Sequence, residues 1–146
     1  MNELLVKKMG MTQVFDEAGN VLGVTVVEAK PDQEIKVDAF KPQDKVLVSG
    51  RSIGKGFAGR IKRFHQSRGP MSHGSKCHRL MGSIGSGTTP GRVWKGKNMP
   101  GRLGGGRVTV KNLSVVQVIP EKNLLLLRGS VPGKRGNLVS VRAAKV

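Results

Sequence analysis

The stretch Val21-Leu22-Gly23-Val24-Thr25-Val26-Val27-Glu28 is the strongest secondary-structure signal in the chain. Its β-branched residues are restricted in a helix and pack well on a pleated surface, so the stretch predicts a β-strand. Asp16–Asn20 comes before it and reads as a tight turn, because Gly and Asn tolerate positive φ angles. The runs Leu4–Val6 and Met11–Phe15 therefore predict strands on the other side of this turn.

Short apolar runs of the same kind recur on both sides of a central segment. Pro120–Asn123 and Pro132–Asn137 predict turns between some of them. Short strands at this spacing predict a mostly β fold, a small β-barrel built from residues 1–50 and 107–146. The further predicted strands are Ile35–Ala39, Lys45–Val48, Arg107–Val110, Leu113–Ile119, Asn123–Arg128 and Leu138–Arg142. The predicted core residues are Leu5, Val14, Val24, Val26, Ile35, Val37, Val46, Val48, Val108, Val110, Val116, Val118, Leu125, Leu127, Val139 and Val141.

Charge is distributed unevenly along the 146 residues, which carry a formal net charge of +17. Residues 1–44 hold eight of the nine acidic residues, whereas residues 45–120 hold fifteen Lys or Arg and no acid at all. Solvated surfaces normally mix both signs because mixing limits repulsion. An acid-free stretch of this length predicts that a polyanion such as nucleic acid lies along it.

Composition also excludes some classes of protein. No apolar run approaches the ~18 residues of a membrane-spanning helix, so we expect no membrane partner. Cys77 is the single cysteine, which excludes an internal disulfide and fits a reducing, cytoplasmic compartment.

Residues 51–106 differ from both flanks. They hold fourteen of the 21 Gly and all three His, and their apolar residues follow no sustained period. Only Ala58–His65 predicts one or two helical turns. A segment that buries so little apolar surface does not offset its own chain entropy, so we predict an insertion that orders against a partner.

Motifs for enzymes and cofactors are weak in this segment. Gly91–Lys97 matches a phosphate-binding loop, but Asn98 replaces the hydroxyl residue that would hold Mg²⁺. The three His and Cys77 lack the paired spacing of structural zinc sites, and no acid near them in sequence would orient a Cys–His pair. We predict no enzyme, no metal, no cofactor and no small-molecule substrate, and a zinc or Cys–His site stays as a less favoured alternative.

Motifs spread over nearly the whole chain resemble the universal ribosomal protein L-three family in its bacterial form. The resemblance rests on Lys7–Phe15 (KKMGMTQVF), Gly54–Gly59, Lys62-Arg63, Ser72–Lys76, His78-Arg79, Gly82–Gly85, Thr88–Val93, Lys95–Lys97, Arg107–Val110, Asn112-Leu113, Asn123–Leu126 and Gly129–Gly133.

The resemblance implies a structural protein of the large ribosomal subunit. It implies a translation-protein-type β-barrel with a long, basic, Gly-rich extension, here residues 51–106, inserted between strands and threaded into ribosomal RNA. The tip of the extension would approach the peptidyl-transferase centre. The implied partners are 23S-type ribosomal RNA and neighbouring large-subunit proteins, and the implied role includes early subunit assembly, in a cytoplasmic or an organellar ribosome. The tip residues would be Gly82, Ser83, Ile84, Gly85, Ser86, Gly87, Thr88, Thr89 and Pro90.

The predicted RNA-binding residues share a positive charge, an imidazole or an aromatic ring within or beside this extension. They are Arg51, Lys55, Arg60, Lys62, Arg63, His65, Arg68, His73, Lys76, His78, Arg79, Arg92, Trp94, Lys95, Lys97, Arg102 and Arg107.

The chain departs from the family pattern after Lys30, where members carry several dozen further residues. Either a reduced barrel closes with fewer strands, or an open sheet edge is covered by RNA or a neighbour. The shortening fits a natural protein or an engineered deletion. The alternative hypothesis is therefore an engineered or relic minimal β-barrel that binds RNA only non-specifically.

Overall fold

The computed structural model describes residues 3–30 and 37–144 of the chain, and their structure is mostly β. A five-residue helix, α1 (Arg60–Phe64), and 3₁₀ turns at Val37–Ala39 and Pro120–Lys122 accompany the strands. The strands are β1 (Leu4–Phe15), β2 (Val21–Ala29), β3 (Lys45–Arg51), β4 (Phe57–Ala58), β5 (Gly101–Arg102), β6 (Arg107–Ile119), β7 (Leu124–Arg128) and β8 (Leu138–Ala143).

Six of these strands form one antiparallel sheet that closes on itself as a barrel. The pairing order is β1-β2-β7-β6-β3-β8, and β8 pairs back onto β1 at Leu4–Lys7. The predicted mostly β fold is confirmed. Of the two outcomes expected for a shortened chain, closure of the barrel is the one observed.

Two strands are longer than the sequence predicted, because each continues through a bulge. The predicted strands Leu4–Val6 and Met11–Phe15 are parts of β1, whose register with β2 shifts between Lys8 and Gly10. Likewise, Arg107–Val110 and Leu113–Ile119 are both in β6. A bulge adds one residue and bends the strand, so an interrupted apolar pattern is compatible with one continuous strand around a barrel.

The predicted strand Ile35–Ala39 is wrong over its described part. Val37–Ala39 is a 3₁₀ turn, with the Phe40 amide donating to the Val37 carbonyl at 3.1 Å, and Ile35 lies outside the described residues. Val37 and Phe40 are buried together in the barrel core. The apolar residues were correctly identified as buried, but a spacing of three residues between two core side chains suits a 3₁₀ turn rather than a strand.

The barrel interior is filled by apolar side chains, which come from all six strands and from Val37, Phe40 and Val131 outside them. Each such side chain, fully buried, contributes about 1.5–3 kcal/mol to folding. The core cluster consists of Leu4, Val6, Val27, Ala29, Val37, Phe40, Val46, Val48, Val115, Leu125, Leu127, Val131, Val139 and Val141.

Several predicted core positions lie on the other face of their strand. Leu5 is 46% exposed because Leu4 and Val6 point inward. In β2, Val27 is fully buried and Val26 is not, and in β6 Val115 takes the place predicted for Val116. Where two apolar residues are adjacent, the sequence does not determine which one faces inward, and a shift of one residue exchanges the two faces.

The remaining predicted core residues differ in how deeply they are buried. Val108 is 44% exposed at the end of β6, opposite Gly50. Val24, Val37, Val46, Val48, Leu125, Leu127, Val139 and Val141 are buried as predicted, whereas Val14, Val110 and Val118 are half-buried.

Lys8, in the KKMGMTQVF motif, holds the loop that precedes β8. Its Nζ donates to the carbonyls of Val131 at 2.7 Å and Gly133 at 2.8 Å. Its backbone amide also donates to the Asn137 carbonyl, and the Gly136 amide donates to the carbonyl of Lys8. A lysine at the bulge of β1 thus fixes the predicted turn Pro132–Asn137 in place.

The described chain divides into two compact units. One comprises the described residues up to Ile53 together with those from Gly105 onward, and contains the barrel. The other is Gly54–Gly104, inserted in sequence between β3 and β6.

Candidate nucleic-acid interface

The unit Gly54–Gly104 combines strong positive charge with an almost complete absence of core. It holds eleven Lys or Arg and no Asp or Glu. Ala58, 5% exposed, is its single buried residue. Nearly every side chain of the unit is therefore available to a partner.

Two short strands join the ends of this unit. β4 and β5 pair through Phe57 with Arg102 and Ala58 with Gly101. The Lys55 amide donates to the Leu103 carbonyl, and the Leu103 amide donates to the carbonyl of Gly56, both at 2.8 Å. The two ends of the unit thus run side by side here, and Phe57 and Arg102 face the same way because direct cross-strand partners share a face.

The helical turn predicted within Ala58–His65 is confirmed as α1. His65 ends it in the left-handed region, with φ 55°, and Lys62 and Arg63 lie in its last turn, where positive charge suits the helix dipole. Arg63 Nη1 donates to the Met99 carbonyl at 2.9 Å, and its guanidinium lies 5.0 Å from the centre of the Phe64 ring. Arg63 therefore connects α1 to the chain leading into β5.

A closed loop carries two of the predicted histidines. The Gly69 amide donates to the His78 carbonyl at 2.9 Å, and His78 Nδ1 lies 3.0 Å from the Pro70 carbonyl oxygen. A side chain at Gly69 would collide with the Cys77 carbonyl, so the close approach of the two ends of the loop requires glycine. His73, with φ 56°, lies in the turn between them.

The predicted RNA-binding residues are accessible. None is buried, and only Arg60, Arg63 and His78 are half-buried. Arg51 and Arg107 lie in barrel strands β3 and β6, where they are direct cross-strand partners. The exposed residues are Arg51, Lys55, Lys62, His65, Arg68, His73, Lys76, Arg79, Arg92, Trp94, Lys95, Lys97, Arg102 and Arg107.

The predicted tip is also exposed, from Gly82 through Thr89, with Pro90 half-buried. Close to it in sequence, the Arg92 guanidinium lies 5.8 Å from the centre of the Trp94 ring, and Trp94 is 60% exposed. An exposed ring beside a guanidinium offers one surface for base stacking and one charge for a phosphate.

The sequence prediction did not include Phe57 among the candidate binding residues. Its ring is 80% exposed, the most exposed large apolar side chain in the described chain. The signal was present in Lys55-Gly56-Phe57, an aromatic residue flanked by glycine and a base, but there was no second aromatic nearby to support it.

The arrangement can neutralise phosphates and stack on bases. In residues 3–30 and 37–144 no group of three or more His, Cys, Asp or Glu is close enough to hold a metal ion. The same residues include no helix long and apolar enough to cross a membrane.

Comparison with known proteins gives a consistent result. The family model for Ribosomal protein L3 matches residues 4–123. A large ribosomal subunit protein uL3 from Nostoc punctiforme is 42% identical over 204 residues, covering 98% of this chain and 97% of that protein. The uL3 protein of Gloeothece citriformis is 60% identical over 111 residues, 76% of this chain and 52% of that protein.

The alignments also bear on the shortened segment. The 204 aligned positions exceed the 146 residues of this chain, so the Nostoc punctiforme protein has residues that this chain lacks. A uL3 protein of Halalkalibacterium halodurans gives the same picture, with 42% identity over 202 residues and 97% of this chain covered. The family model over residues 4–123 and the relatives over 97–98% of the chain agree, and the chain therefore belongs to the ribosomal protein L3 family.

Proposed function

We propose that this protein is a structural constituent of the large ribosomal subunit and binds its ribosomal RNA chiefly through Gly54–Gly104. The observation that carries the proposal is the combination of eleven basic residues, no acid and one buried side chain in this unit. A unit with no core and one sign of charge is not stabilised by its own packing. A polyanion supplies both the missing contacts and the missing counter-charge.

The protein would act as a scaffold for RNA rather than as a catalyst. Lys and Arg neutralise phosphates that otherwise repel one another where RNA helices converge, and the glycines let the backbone pass closely between them. Phe57 and Trp94 offer rings on which unpaired bases stack. No residue is assigned a chemical step.

Family membership supports the finer parts of the proposal. We infer that residues 51–106 form the RNA-threading extension, with Gly82–Pro90 as the tip near the peptidyl-transferase centre. The protein would then act early in assembly, and its effect on peptide-bond formation would be indirect, through the position of the RNA. Its place in the cell would be the ribosome, in the cytoplasm for bacterial-type members.

Free and RNA-bound protein should differ in protease sensitivity. Ordering of Gly54–Gly104 is opposed by chain entropy, and one buried alanine offsets little of it. Limited trypsin digestion should cut within 51–106 in the free protein and not in the RNA complex. Protection of that stretch without RNA would contradict folding on binding.

The hairpin of β1 and β2 is the surface we assign to a protein neighbour. Met11, Phe15 and Val21 are 56%, 67% and 56% exposed and lie on one face, since Phe15 pairs with Val21. Asp16 and Glu17 lie at the turn. Apolar surface beside acidic residues suits a basic ribosomal protein better than RNA, whose phosphates the acids repel.

The proposed function is tested by incorporation into particles. Tagged protein should co-sediment with large subunits, and survive a wash that removes non-specific RNA binders. A triple variant with Phe57→Ala, Trp94→Ala and Arg92→Gln should be incorporated into large subunits less than the wild type. Absence of the wild-type chain from large subunits would refute the proposal.

The alternative, an engineered or relic barrel with only non-specific RNA binding, gains no support from the comparisons. The chain aligns with natural large-subunit proteins over 98% of its length.

A further inference from the structure

The outer wall of the barrel carries a cleft across β1, β8, β3 and β6. Leu5 pairs with Ser140, Ser140 with Ser49, and Ser49 with Thr109, so these four residues form one row over the four strands. Leu5, Ser49 and Ser140 of this row line the cleft. The cleft has a volume of about 480 Å³.

Two arginines face each other at one end of this cleft. Arg51 and Arg107 both line it, are exposed, and are direct cross-strand partners. Arg51 Nε donates to the Gly105 carbonyl at 2.9 Å, which positions the guanidinium without neutralising it. Like charges directly opposite in an antiparallel pair are destabilising, so this pair favours a bound anion.

The acidic residue that lines the cleft, Glu3, already has an ion-pair partner. Glu3 is ion-paired with Arg142. The Ser140 side chain and then the Arg142 guanidinium lower the pKa of Glu3, with a smaller contribution from Arg107. The single negative charge of Glu3 balances only one of the three positive charges of Arg51, Arg107 and Arg142. Positive charge therefore remains at the Arg51–Arg107 end of the cleft.

We propose that this cleft binds one phosphodiester group of an RNA backbone between Arg51 and Arg107. The inference rests on the proposed function for the identity of the polyanion, but it concerns a site on the barrel wall rather than the Gly54–Gly104 unit. Guanidinium groups present paired N–H donors that match the oxygens of a phosphate.

Neighbouring groups complete the match to a nucleotide. Ser49 Oγ and Thr109 Oγ1 lie 2.8 Å apart, so only one of their two protons is used between them and the other can be donated to a phosphate oxygen. Leu5 and Leu138 line the cleft and are 46% and 51% exposed. They offer apolar contact to the ribose beside the phosphate.

The test measures how the affinity of the full chain for transcribed large-subunit ribosomal RNA depends on salt. Each neutralised phosphate contributes about 0.7–0.9 to the slope of log affinity against log salt. Arg107→Gln should lower the slope by about that amount. Lys41→Gln, an equal loss of charge at an exposed position in the acidic N-terminal region, should leave it unchanged.

A second readout does not depend on RNA. Because the facing arginines repel each other, Arg107→Gln should raise the melting temperature of the free protein, whereas Lys41→Gln should not. Inorganic phosphate at matched ionic strength should stabilise the wild type more than Arg107→Gln.

The outcomes separate this inference from the proposed function. One outcome is a steep wild-type slope of log affinity against log salt that is lowered equally by Arg107→Gln and Lys41→Gln, or by neither. Either result would refute the phosphate site in the cleft and leave the proposed function intact. Wild-type affinity that does not depend on salt would overturn both. Stabilisation by inorganic phosphate, without any change of the RNA slope in Arg107→Gln, would overturn the assignment to RNA.

Discussion

The salt dependence of RNA binding should be dominated by exposed basic residues of Gly54–Gly104. Nine of the eleven are exposed, while Arg60 and Arg63 are half-buried. If each exposed residue neutralises one phosphate at about 0.7–0.9, the wild-type slope is about 6–8. A rise in salt from ~0.1 to ~0.3 M then weakens binding by about 10³–10⁴-fold.

Neutralising three of the nine should reduce this dependence by a third. The slope of a triple variant should fall by about 2–3, and the same rise in salt should then weaken its binding by only about 100- to 400-fold. The matched control removes three exposed charges from the barrel unit and should keep the wild-type slope. The interface variant is Arg92→Gln, Lys95→Gln and Lys97→Gln, and the control is Lys41→Gln, Lys45→Gln and Lys122→Gln.

Fluorescence anisotropy of labelled large-subunit RNA fragments measures the slopes directly. Equal slopes for the interface variant and the control would show that charge acts through the whole molecule rather than through Gly54–Gly104. A wild-type slope near zero would show that phosphate contacts do not drive binding.

Three further predictions concern the fold itself. Leu127→Ala in the fully buried core should cost about 2–5 kcal/mol in denaturant unfolding, and a cost below about 1 kcal/mol would contradict the barrel core. Gly69→Ala should speed hydrogen exchange at residue 69 about 2- to 10-fold through loss of its hydrogen bond, whereas Gly54→Ala, with open space around it, should not change exchange there. Since the pKa of Glu3 is lowered from 4.5, its interactions with Ser140 and Arg142 stabilise the fold above about pH 4.5 and are lost as pH falls through the lowered value. The stability difference between wild type and Glu3→Gln should therefore shrink on acidification, and a difference that is constant from pH 7 to 3 would contradict this.

Strand identity was largely readable from local composition. β2, β3, β7 and β8 lie where β-branched and leucine-rich runs predicted them. Which residues of each strand face the core could be predicted less well. Leu4-Leu5 and Val26-Val27 are adjacent apolar pairs of which one member is buried and the other is not. A bulge, such as those in β1 and β6, also shifts the alternation of the residues beyond it.

The candidate interface shows a similar division. Its charge and glycine content follow from residue types along the chain. The role of Arg63 as an internal link to Met99 does not, because a solvated and an engaged arginine look alike in sequence. Phe57 was overlooked for a related reason, since exposure of an aromatic ring depends on whether anything packs over it.

By itself, the sequence predicted a polyanionic partner and identified the family, because charge sign and motif order are properties of the chain. Closure of the barrel and the pairing of Arg51 with Arg107 were decided only by the tertiary structure. Both depend on register between strands far apart in sequence, and register is set by how the inward faces pack together rather than by any local run of residues.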